Sequence, residues 1–390
     1  MECSLDDVCN RCKKEPCLVV SRKDHFCAAC FKKFLCTKQR KQMQDEKFKV
    51  KFGNSRAERP RVLLPLSYGS SSLALFDMVI SHLEEQCQNE RAVQGYVLVV
   101  LHVGEDTARM ELLRRKYSHV LEKVEVEFVT VDPAVFVRDL AKVAVTEEYA
   151  VRRTENSESL SLQELLLQFE SRSSRQDFWQ QVVQEVVFRS AVAQSCSVVI
   201  FGHSMSRLAE ETLALTVKGR GSETAHRLTD GNMDYVGGAL HVIRPLRDVL
   251  ALEIKAYVRF CGLQEMVATE ASVKHKSAKN KTVNELVREY FETVESEYPE
   301  VISTVVKIGT KLDSPQGAAQ QCILCHEAIY RDPKTWLEQM SESANKQAQS
   351  DVPLCYGCLV DVGVGGGAVW PVRRPSKEEI LAEYILDNEI

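Results

Sequence analysis

Four short apolar runs in the middle of the chain predict buried β-strands. They lie at residues 61–66 (RVLLPL), 96–103 (YVLVVLHV), 124–131 (VEVEFVTV) and 197–202 (SVVIFG). Between them, apolar residues recur at helical spacing, as Leu73, Phe76 and Ile80 do after the first run. Strands that alternate with helices predict an α/β fold, in which a mostly parallel sheet is covered by helices on both faces.

Helix boundaries and polar segments divide the chain further. Residues 204–217 predict a helix, and a later helix is predicted to start after an N-cap at Asp248 and to end at Gly262. The segment 152–176 is rich in Ser, Glu and Arg and predicts an exposed loop inserted around one helix. The chain is therefore predicted to comprise a basic terminal module, an α/β domain, a helical segment, a second terminal module and an acidic tail, at residues 1–58, 59–262, 263–319, 320–372 and 373–390.

Eight of the fourteen cysteines form four C-x-x-C pairs, at Cys9/Cys12, Cys27/Cys30, Cys322/Cys325 and Cys355/Cys358. Two thiolates separated by two residues can bind one tetrahedral Zn²⁺, and a second pair completes its four ligands. Pairing neighbours gives C-x2-C-x14-C-x2-C in the first module and C-x2-C-x29-C-x2-C in the second, so two structural zinc sites are predicted. Each zinc would add on the order of 10 kcal/mol to the folding of a small module.

Other uses of the cysteines stay open. His25 is close enough in sequence to replace Cys27 as a ligand. Thioredoxin-like redox chemistry is disfavoured, because none of the pairs follows a strand in a βαβ unit. Most of the six remaining cysteines are interpreted as ordinary buried or surface thiols; the six are Cys3, Cys17, Cys36, Cys87, Cys196 and Cys261.

Composition indicates a soluble cytoplasmic protein. Of the 390 residues, 44% are hydrophobic and 27% are charged, as in globular proteins. No apolar run reaches the roughly 18 to 20 residues that a membrane span needs, and the N-terminus has no apolar stretch typical of a signal sequence. A large number of cysteines without disulfides fits a reducing compartment.

Charge is unevenly distributed around the net value of −5. Residues 32–61 contain eleven Lys and Arg against three acids, whereas residues 377–390 are acidic. Such a basic block indicates contact with a polyanion; the alternative is a solvated helix face beside a structural module. Phe48 and Phe52 lie within the block and are expected to pack on the central domain rather than stack on bases. The candidates for phosphate contact are Lys38, Arg40, Lys41, Lys47, Lys49, Lys51, Lys274 and Lys276.

A loop of small residues follows the first predicted strand. It consists of Ser67, Gly69, Ser70, Ser71 and Ser72, with Tyr68 in second place. Small residues let backbone N–H groups approach phosphate oxygens, and the N-terminus of the following helix adds a favourable field. Because open α/β sheets bind ligands at the carboxyl ends of their strands, the pattern predicts a nucleotide loop at this position.

The order of these parts resembles the PP-loop ATP pyrophosphatases that modify tRNA. Those proteins combine two zinc knuckles with an S-G-G-x-D-S loop, a G-H-N-x-D-D-x-A-E-T motif and an R-P-L motif. Here the three motifs read S-Y-G-S-S-S at 67–72, G-H-S-M-S-R-L-A-E-E-T at 202–212 and R-P-L at 244–246. More narrowly, and over nearly its whole length, the chain resembles the cytoplasmic tRNA 2-thiolation protein 2 family.

The resemblance implies a PP-loop fold, similar to that of adenine nucleotide alpha hydrolases, flanked by the two zinc modules. It also implies a role in 2-thiolation of the wobble uridine in tRNAs for Lys, Glu and Gln. Three partners follow from it: a catalytic paralogue, a ubiquitin-like thiocarboxylated sulfur carrier and the tRNA. Relatives grip tRNA beside the N-terminal zinc module, where the basic block of this chain lies.

Departures from the motifs argue against catalysis by this chain. Tyr68 replaces a glycine and is expected to crowd the space for phosphate, and Ser71 lacks the charge of the aspartate in the motif. In the second motif, Asn and two Asp are replaced by Ser204, Ser206 and Arg207. Since Mg·ATP needs ordered oxygen ligands and backbone donors, weak or absent adenylation is predicted.

The thiols needed for sulfur transfer are missing as well. Residues 88–195 contain no cysteine, whereas thiolases that resemble the catalytic partner hold a C-x-x-C pair and a third cysteine beside the nucleotide. We therefore expect a non-catalytic subunit of a heterodimer. The alternatives are an active ATP-dependent tRNA sulfurtransferase with a divergent loop, and a zinc-dependent scaffold that binds only proteins.

Overall fold

The computed structural model describes nine stretches of the chain, and all structural statements below refer to them. They are residues 7–52, 59–88, 92–137, 140–156, 158–235, 238–268, 280–312, 320–329 and 352–372. Two candidate phosphate contacts, Lys274 and Lys276, and the acidic tail lie outside the described residues.

Strands and α-helices are numbered in chain order within these stretches. The strands are β1 (Val19–Ser21), β2 (Asp24–Phe26), β3 (Lys51–Phe52), β4 (Arg61–Pro65), β5 (Ala92–Val93), β6 (Val97–Val103), β7 (Val126–Val131), β8 (Leu140–Val145), β9 (Val151–Glu155), β10 (Val198–Ile200), β11 (Gly231–Tyr235), β12 (Gly238–Ile243), β13 (Gln320–Gln321), β14 (Ala328–Ile329) and β15 (Gly367–Pro371). The helices are α1 (Ala28–Gln42), α2 (Ser70–Gln86), α3 (Thr107–Lys116), α4 (Ser118–Leu121), α5 (Leu162–Leu167), α6 (Arg172–Ala193), α7 (Met205–Val217), α8 (Thr224–Leu228), α9 (Ala251–Phe260), α10 (Val283–Glu297), α11 (Pro299–Gly309) and α12 (Tyr356–Val362). Short 3-10 helices occupy Glu46–Phe48, Pro133–Phe136, Gly221–Glu223 and Gln264–Met266.

The chain forms two compact units, each assembled from two separate stretches of sequence. Unit 1 comprises residues 1–133 and 180–314, and unit 2 comprises residues 134–179 and 315–390. The division into five consecutive segments stays a prediction, because it follows the order of the sequence whereas each unit joins stretches that are distant in sequence.

Unit 1 is built on a six-stranded sheet in the order β11-β12-β10-β4-β6-β7. Neighbouring strands from β12 to β7 are parallel, and β11 is antiparallel at the edge. The four strands predicted from apolar runs are all present, shorter than predicted by one to three residues. After β7 the chain returns to the other side of β4 to add β10, so the strand order reverses between β4 and β10. Ligands of open parallel sheets bind at such a reversal.

Apolar runs rather than alternating patterns mark these strands because both faces of the sheet are buried. Val62 and Leu64 of β4 pack in one apolar cluster, together with side chains of α1, α2 and α9. Leu63, between them, packs in a second cluster with Val187 and Phe188 of α6. Successive residues of a strand point to opposite faces. The predicted α/β sheet with helices on both faces is therefore confirmed.

The N-cap predicted at Asp248 is wrong. Helix α9 starts two residues later, with Leu250 in the N-cap position. The carboxylate of Glu253 accepts the Leu250 N–H at 2.9 Å, and Asp248 instead accepts a hydrogen bond from the side chain of Gln42 at 2.5 Å. Gly262 does follow the end of the helix, with φ of +61°, a conformation that glycine adopts without strain.

The exposed loop predicted over 152–176 is only partly correct. Most of β9 is exposed, as its polar composition indicates, but its backbone is paired with β8, and α6 begins at Arg172. The sheet of unit 2 has the order β15-β8-β9, so β9 belongs to a sheet that is completed by a strand about 200 residues further along the chain. Composition reports the exposure of a strand's side chains and not the pairing of its backbone.

Unit 2 has its own aromatic core. Trp370 is 1% exposed and lies against the rings of Phe136, Phe169 and Phe178, with ring centroids 4.6 to 5.8 Å from its own. Phe169 and Phe178 stack with centroids 4.0 Å apart. In neither unit is a described helix both long enough and apolar enough to cross a membrane.

Candidate functional site

The N-terminal cysteines form a compact sulfur cluster in unit 1. The Sγ atoms of Cys9, Cys12, Cys27 and Cys30 all lie within 4.8 Å of one another. A tight turn at Lys13, with φ of +55°, brings the first pair together, and the second pair sits at the start of α1. His25 is not in this group; its Nδ1 lies 3.2 Å from the carboxylate of Asp7. Cys27, rather than His25, is therefore the fourth member of this cluster.

A second cluster lies in unit 2. It unites Cys322 and Cys325, from the β13–β14 hairpin, with Cys355 and Cys358 at the start of α12, and all four are buried. Cys355 occupies the N-cap position and accepts the Cys358 N–H at 3.4 Å.

Both clusters have the spacing of a tetrahedral metal site. The sulfur atoms of Cys12 and Cys27 are 3.8 Å apart, and those of Cys325 and Cys355 are 3.6 Å apart. Zn–S bonds of about 2.3 Å in a tetrahedron place sulfurs about 3.8 Å apart. Burial and the neighbouring thiols raise the pKa of Cys30 to about 12. A bound divalent cation would stabilise the thiolate form and so oppose this rise in pKa.

The small-residue loop connects β4 to α2, as predicted. Gly69 is in the N-cap position, and the Ser72 hydroxyl donates to the Gly69 carbonyl at 3.1 Å. The hydroxyls of Ser67 and Ser72 lie 3.3 Å apart. Ser70 and Ser71 form the half-buried first turn of α2, where backbone N–H groups lack partners within the helix.

The second motif meets this loop at the carboxyl end of β10. A Cβ atom on Gly202 would lie only 3.0 Å from the Cα of Ser72 and 3.2 Å from the carbonyl carbon of Ser71. The two loops are therefore in backbone contact beside the reversal of strand order, and a side chain at 202 would separate them. Sequence reasoning placed both loops at strand ends, and the structure brings them together.

The two serines of the second motif take part in the hydrogen bonding of the fold. Ser204 caps α7, accepting the Arg207 N–H at 3.1 Å, and is 2% exposed. Ser206 accepts the Ala251 N–H at the start of α9, at 2.8 Å, and is 1% exposed. Both hydroxyls are therefore engaged by backbone N–H groups at the starts of helices.

Nearby carboxylates are paired with arginines. Glu210 lies 3.5 Å from Arg207 and 3.7 Å from Arg288. Arg244, from the R-P-L motif, is buried and lies 3.3 Å from Asp230. The arginines neutralise the charge of Glu210 and Asp230. Neither of these two carboxylates is therefore an unpaired ligand for Mg²⁺.

Tyr68 is buried rather than exposed in the loop. It is 1% exposed, and its ring centroid lies 4.8 Å from that of His102 at the end of β6. Its backbone has φ of +57°, a conformation that suits the glycine of the family motif. Burial raises the pKa of its phenol to about 12.

Several lysines and arginines of the basic block form ion pairs within the chain. Lys38 lies 3.4 Å from the buried Glu253, and Arg40 lies 2.7 Å from Glu85. Ion pairs at the surface link the half-buried Lys47 to Asp45 and the exposed Lys49 to Glu46. Lys41 is exposed, and Lys51 is half-buried in β3. Phe48 packs against Tyr96, as predicted.

Outside the clusters, the described free thiols are suppressed as nucleophiles. Burial raises the pKa of Cys36 and Cys87, and raises that of Cys196 and Cys261 to about 11. Reactive cysteines depend on a lowered pKa. These four positions therefore agree with the interpretation as ordinary thiols.

Sequence reasoning missed the carboxylate that joins the N-terminal module to helix α9. Glu253 accepts hydrogen bonds from Ser21 at 2.6 Å, from Arg22 at 3.2 Å and from Lys38 at 3.4 Å. A glutamate three residues into a helix is a local signal for capping, which could have pointed to the Leu250 contact. Its three side-chain partners are more than 200 residues away, and no local sequence pattern predicts contacts at that separation.

Together, the parallel sheet, the two loops in contact at one edge and the sulfur clusters define a PP-loop α/β protein with two four-cysteine sites. A solved structure has a similar fold: the U34-tRNA thiolase NcsA from Methanococcus maripaludis with its [4Fe-4S] cluster. The two match with a TM-score of 0.55 and 13% sequence identity, over 89% of this chain and 99% of that one.

Curated relatives identify the family. A protein of Debaryomyces hansenii is 33% identical over 98% of this chain and 96% of its own length, and one of Lodderomyces elongisporus is 34% identical over 97% of both. Each is named cytoplasmic tRNA 2-thiolation protein 2, and the family model of that description matches residues 282–360. The chain belongs to the cytoplasmic tRNA 2-thiolation protein 2 family, and the resemblance predicted from its motifs is confirmed.

Proposed function

We propose that this chain is the non-catalytic subunit of a cytoplasmic heterodimer that 2-thiolates the wobble uridine of tRNAs for Lys, Glu and Gln. A catalytic paralogue carries out the chemistry, a ubiquitin-like thiocarboxylated protein supplies the sulfur, and this chain stabilises the paralogue and helps to bind tRNA. Both four-cysteine clusters hold structural zinc. The names of the curated relatives support tRNA 2-thiolation and the cytoplasm.

One observation carries the non-catalytic assignment. The residues that replace Asn and Asp in the second motif, Ser204 and Ser206, are buried and cap two helices. Each hydroxyl has an acceptor position committed to a backbone N–H, in a cap that stabilises its helix by about 1 kcal/mol, and neither carries the negative charge that an aspartate would offer Mg·ATP. At these two positions, side chains that would bind the metal and nucleotide in the family motif are replaced by side chains that cap helices.

The test compares thiolation by each subunit alone and by both together. Thiolation of tRNA is expected only when both are present, and Ser70→Ala/Ser71→Ala in this chain is expected to change its rate by less than about twofold. The equivalent loop change in the paralogue, as the matched control, is expected to lower the rate by about 100-fold or more. ATP–pyrophosphate exchange by this chain alone, abolished by the double variant, would establish the active sulfurtransferase instead.

Contact with tRNA is proposed for the lysines of the basic block that are exposed or in surface ion pairs. Charge reversal at Lys41, Lys47 and Lys49 is expected to weaken tRNA binding by the heterodimer at least about 10-fold at moderate salt. The slope of log Kd against log salt should fall by about 2 to 3, since each phosphate contact contributes about one unit. Binding is measured by filter retention across a salt series.

The control reverses three exposed lysines in α9, in α11 and just after α11: Lys255, Lys307 and Lys311. It changes the net charge equally and should leave the affinity nearly unchanged. If both triple variants weakened binding alike, the effect would come from net charge alone. If neither did, the scaffold that binds only proteins would be favoured.

A further inference from the structure

Two cations from different helices meet at the end of α9. The guanidinium of Arg259 lies over the ring of Phe260, with its Cζ 5.4 Å from the ring centroid. The ammonium of Lys116, at the end of α3, donates to the Gly262 carbonyl at 2.9 Å. Both cationic residues are exposed. The end of a helix favours positive charge, because its last carbonyl groups lack partners within the helix.

A third cation comes from α1. Phe31 of α1 packs edge-on against the ring of Phe260, with centroids 5.9 Å apart, and this contact brings α1 to the end of α9. Burial raises the pKa of the Cys261 thiol, and the ammonium of Lys32 beside it opposes that rise. Three helices therefore place cations around three consecutive residues, 260–262. These cations, Lys32, Lys116 and Arg259, are called the α9 junction.

The α9 junction keeps its positive charge. Within the described stretches, none of its three cations forms an ion pair, whereas most of the candidate lysines and arginines of the basic block do. The carboxylate of Asp77, which also acts on the Cys261 thiol, accepts hydrogen bonds from the hydroxyls of two tyrosines. A carbonyl, a thiol and an aromatic ring hold the three cations. Because these groups are neutral, the charge stays available to an anion from outside.

The outer face of α1 connects the α9 junction to the basic block. Three buried residues define the inner side of this helix. At 3.6 residues per turn, Lys32 and Lys41 lie on opposite flanks of α1, and the exposed Lys33 lies between them on the outer face. Lys32 and Lys41 are about 14 Å apart along the helix axis. A nucleic-acid duplex carries roughly one charge per 1.7 Å of its axis, so one molecule can supply phosphates to both flanks.

We propose that the α9 junction is a second tRNA contact surface, at which backbone phosphates lie against Lys32, Lys116 and Arg259 while the RNA crosses the outer face of α1 to the basic block. The contacts are charge-assisted hydrogen bonds without base readout. An ammonium has three N–H donors, so Lys116 keeps two after its bond to Gly262. The proposal rests on the proposed function, which supplies the tRNA, and extends the tRNA surface beyond the N-terminal module to α3 and α9.

The test replaces all three cations of the α9 junction by glutamine, which removes the charge and keeps an N–H donor of similar reach. The heterodimer is titrated with an unmodified transcript of a tRNA for Lys, by filter retention across a salt series. Kd is expected to rise at least about 10-fold at moderate salt, and the slope of log Kd against log salt to fall by about 2 to 3. Combined with charge reversal at Lys41, Lys47 and Lys49, the two losses in slope should add.

Two controls separate charge at this place from packing and from net charge. The variant Lys32→Arg/Lys116→Arg/Arg259→Lys keeps every charge and should leave Kd within about twofold of the wild type. The second control removes three charges from exposed positions elsewhere in unit 1 and should leave Kd nearly unchanged: Lys123→Gln/Lys307→Gln/Lys311→Gln. Melting temperatures show that each variant is folded.

Two results would overturn the proposal. The first is a folded glutamine variant that binds tRNA as tightly as the wild type. The second is a variant that loses thiolation while its tRNA affinity is unchanged, since that would assign the α9 junction to an acidic protein partner. If the triple variant does not fold, Lys32→Gln/Arg259→Gln replaces it, because it leaves the Lys116 hydrogen bond intact, and the slope should then fall by about 1 to 2.

Failure of this proposal and failure of the proposed function give different results. If charge reversal at Lys41, Lys47 and Lys49 weakened tRNA binding and the glutamine variant did not, the α9 junction would be excluded and the proposed function would stand. A wild-type heterodimer that binds no tRNA would instead end the tRNA-binding part of the proposed function.

Discussion

Replacing both Cys355 and Cys358 by serine is expected to reduce bound metal from two equivalents per chain to one and to unfold the C-terminal cluster. Four buried sulfurs converge there, and a structural zinc contributes on the order of 10 kcal/mol to the folding of a small module. Serine is a poor ligand for zinc, so that contribution is lost. Metal content by mass spectrometry and limited proteolysis of unit 2 provide the measurements.

Cys87→Ser is the matched control. Cys87 is a half-buried thiol outside both clusters, so its replacement should leave two equivalents of metal and cost no more than about 1 to 2 kcal/mol. The reciprocal variant, Cys27→Ser/Cys30→Ser, should lose the other equivalent. A wild-type chain purified without metal that unfolds cooperatively at the same temperature as the metal-bound chain would contradict the prediction.

Glu253→Ala is expected to destabilise unit 1 by about 3 to 5 kcal/mol, because it breaks a buried ion pair from one side. Glu253 is fully buried, and its carboxylate accepts hydrogen bonds from Ser21, Lys38 and the Leu250 N–H. These contacts join the β1–β2 hairpin and α1 to the start of α9. The loss is measured by urea unfolding, and hydrogen exchange should show increased opening of the N-terminal module.

The pH dependence of this variant provides a second, independent measurement. Burial lowers the pKa of Lys38 to about 8, and the Glu253 carboxylate opposes that shift. Without the carboxylate the pKa falls further, so between it and the unfolded value of 10.5 the unfolded chain binds more protons than the folded chain. Stability therefore rises with pH in this window, and part of the loss should be recovered as pH approaches about 10.

Glu292→Ala provides the comparison. Glu292 is 55% exposed and lies 3.6 Å from Lys255, so this surface pair should be worth less than about 1 kcal/mol and its removal should add no recovery at high pH. If Glu253→Ala were no more destabilising than Glu292→Ala, the buried contacts would not hold the N-terminal module in place.

Much of the fold could be predicted because its signals are local. Strands such as β4 and β6 are buried on both faces, so continuous apolar residues identify them without knowledge of their neighbours. The glycine after α9 and the small residues before α2 are equally local, since backbone conformation is decided by a few adjacent residues. The wrong N-cap prediction at Asp248 shows the limit of such local signals. Asp248 and Glu253 are both acids near the start of α9, and only the packing of the folded chain selects Glu253 as the residue that caps it.

The candidate site was predictable in part. Motif positions located both loops, and strand ends placed them on one edge of the sheet. Where the side chains lie depends on contacts between distant residues. Ser206 caps a helix that starts 45 residues later, and the position of Tyr68 depends on His102. The pairing of β9 with β8 could not be predicted from the sequence either, because β15, from a distant part of the chain, completes that sheet.

By itself, the sequence determined the α/β class, the four cysteine pairs and the loss of acids from the motifs, since residue type and spacing suffice for each. Tertiary structure alone decided that Cys27 and not His25 joins the first cluster, that Glu253 binds the N-terminal module, and that the tyrosine ring is buried. These outcomes depend on burial and on distances between residues far apart in the chain, which spacing along a sequence does not encode.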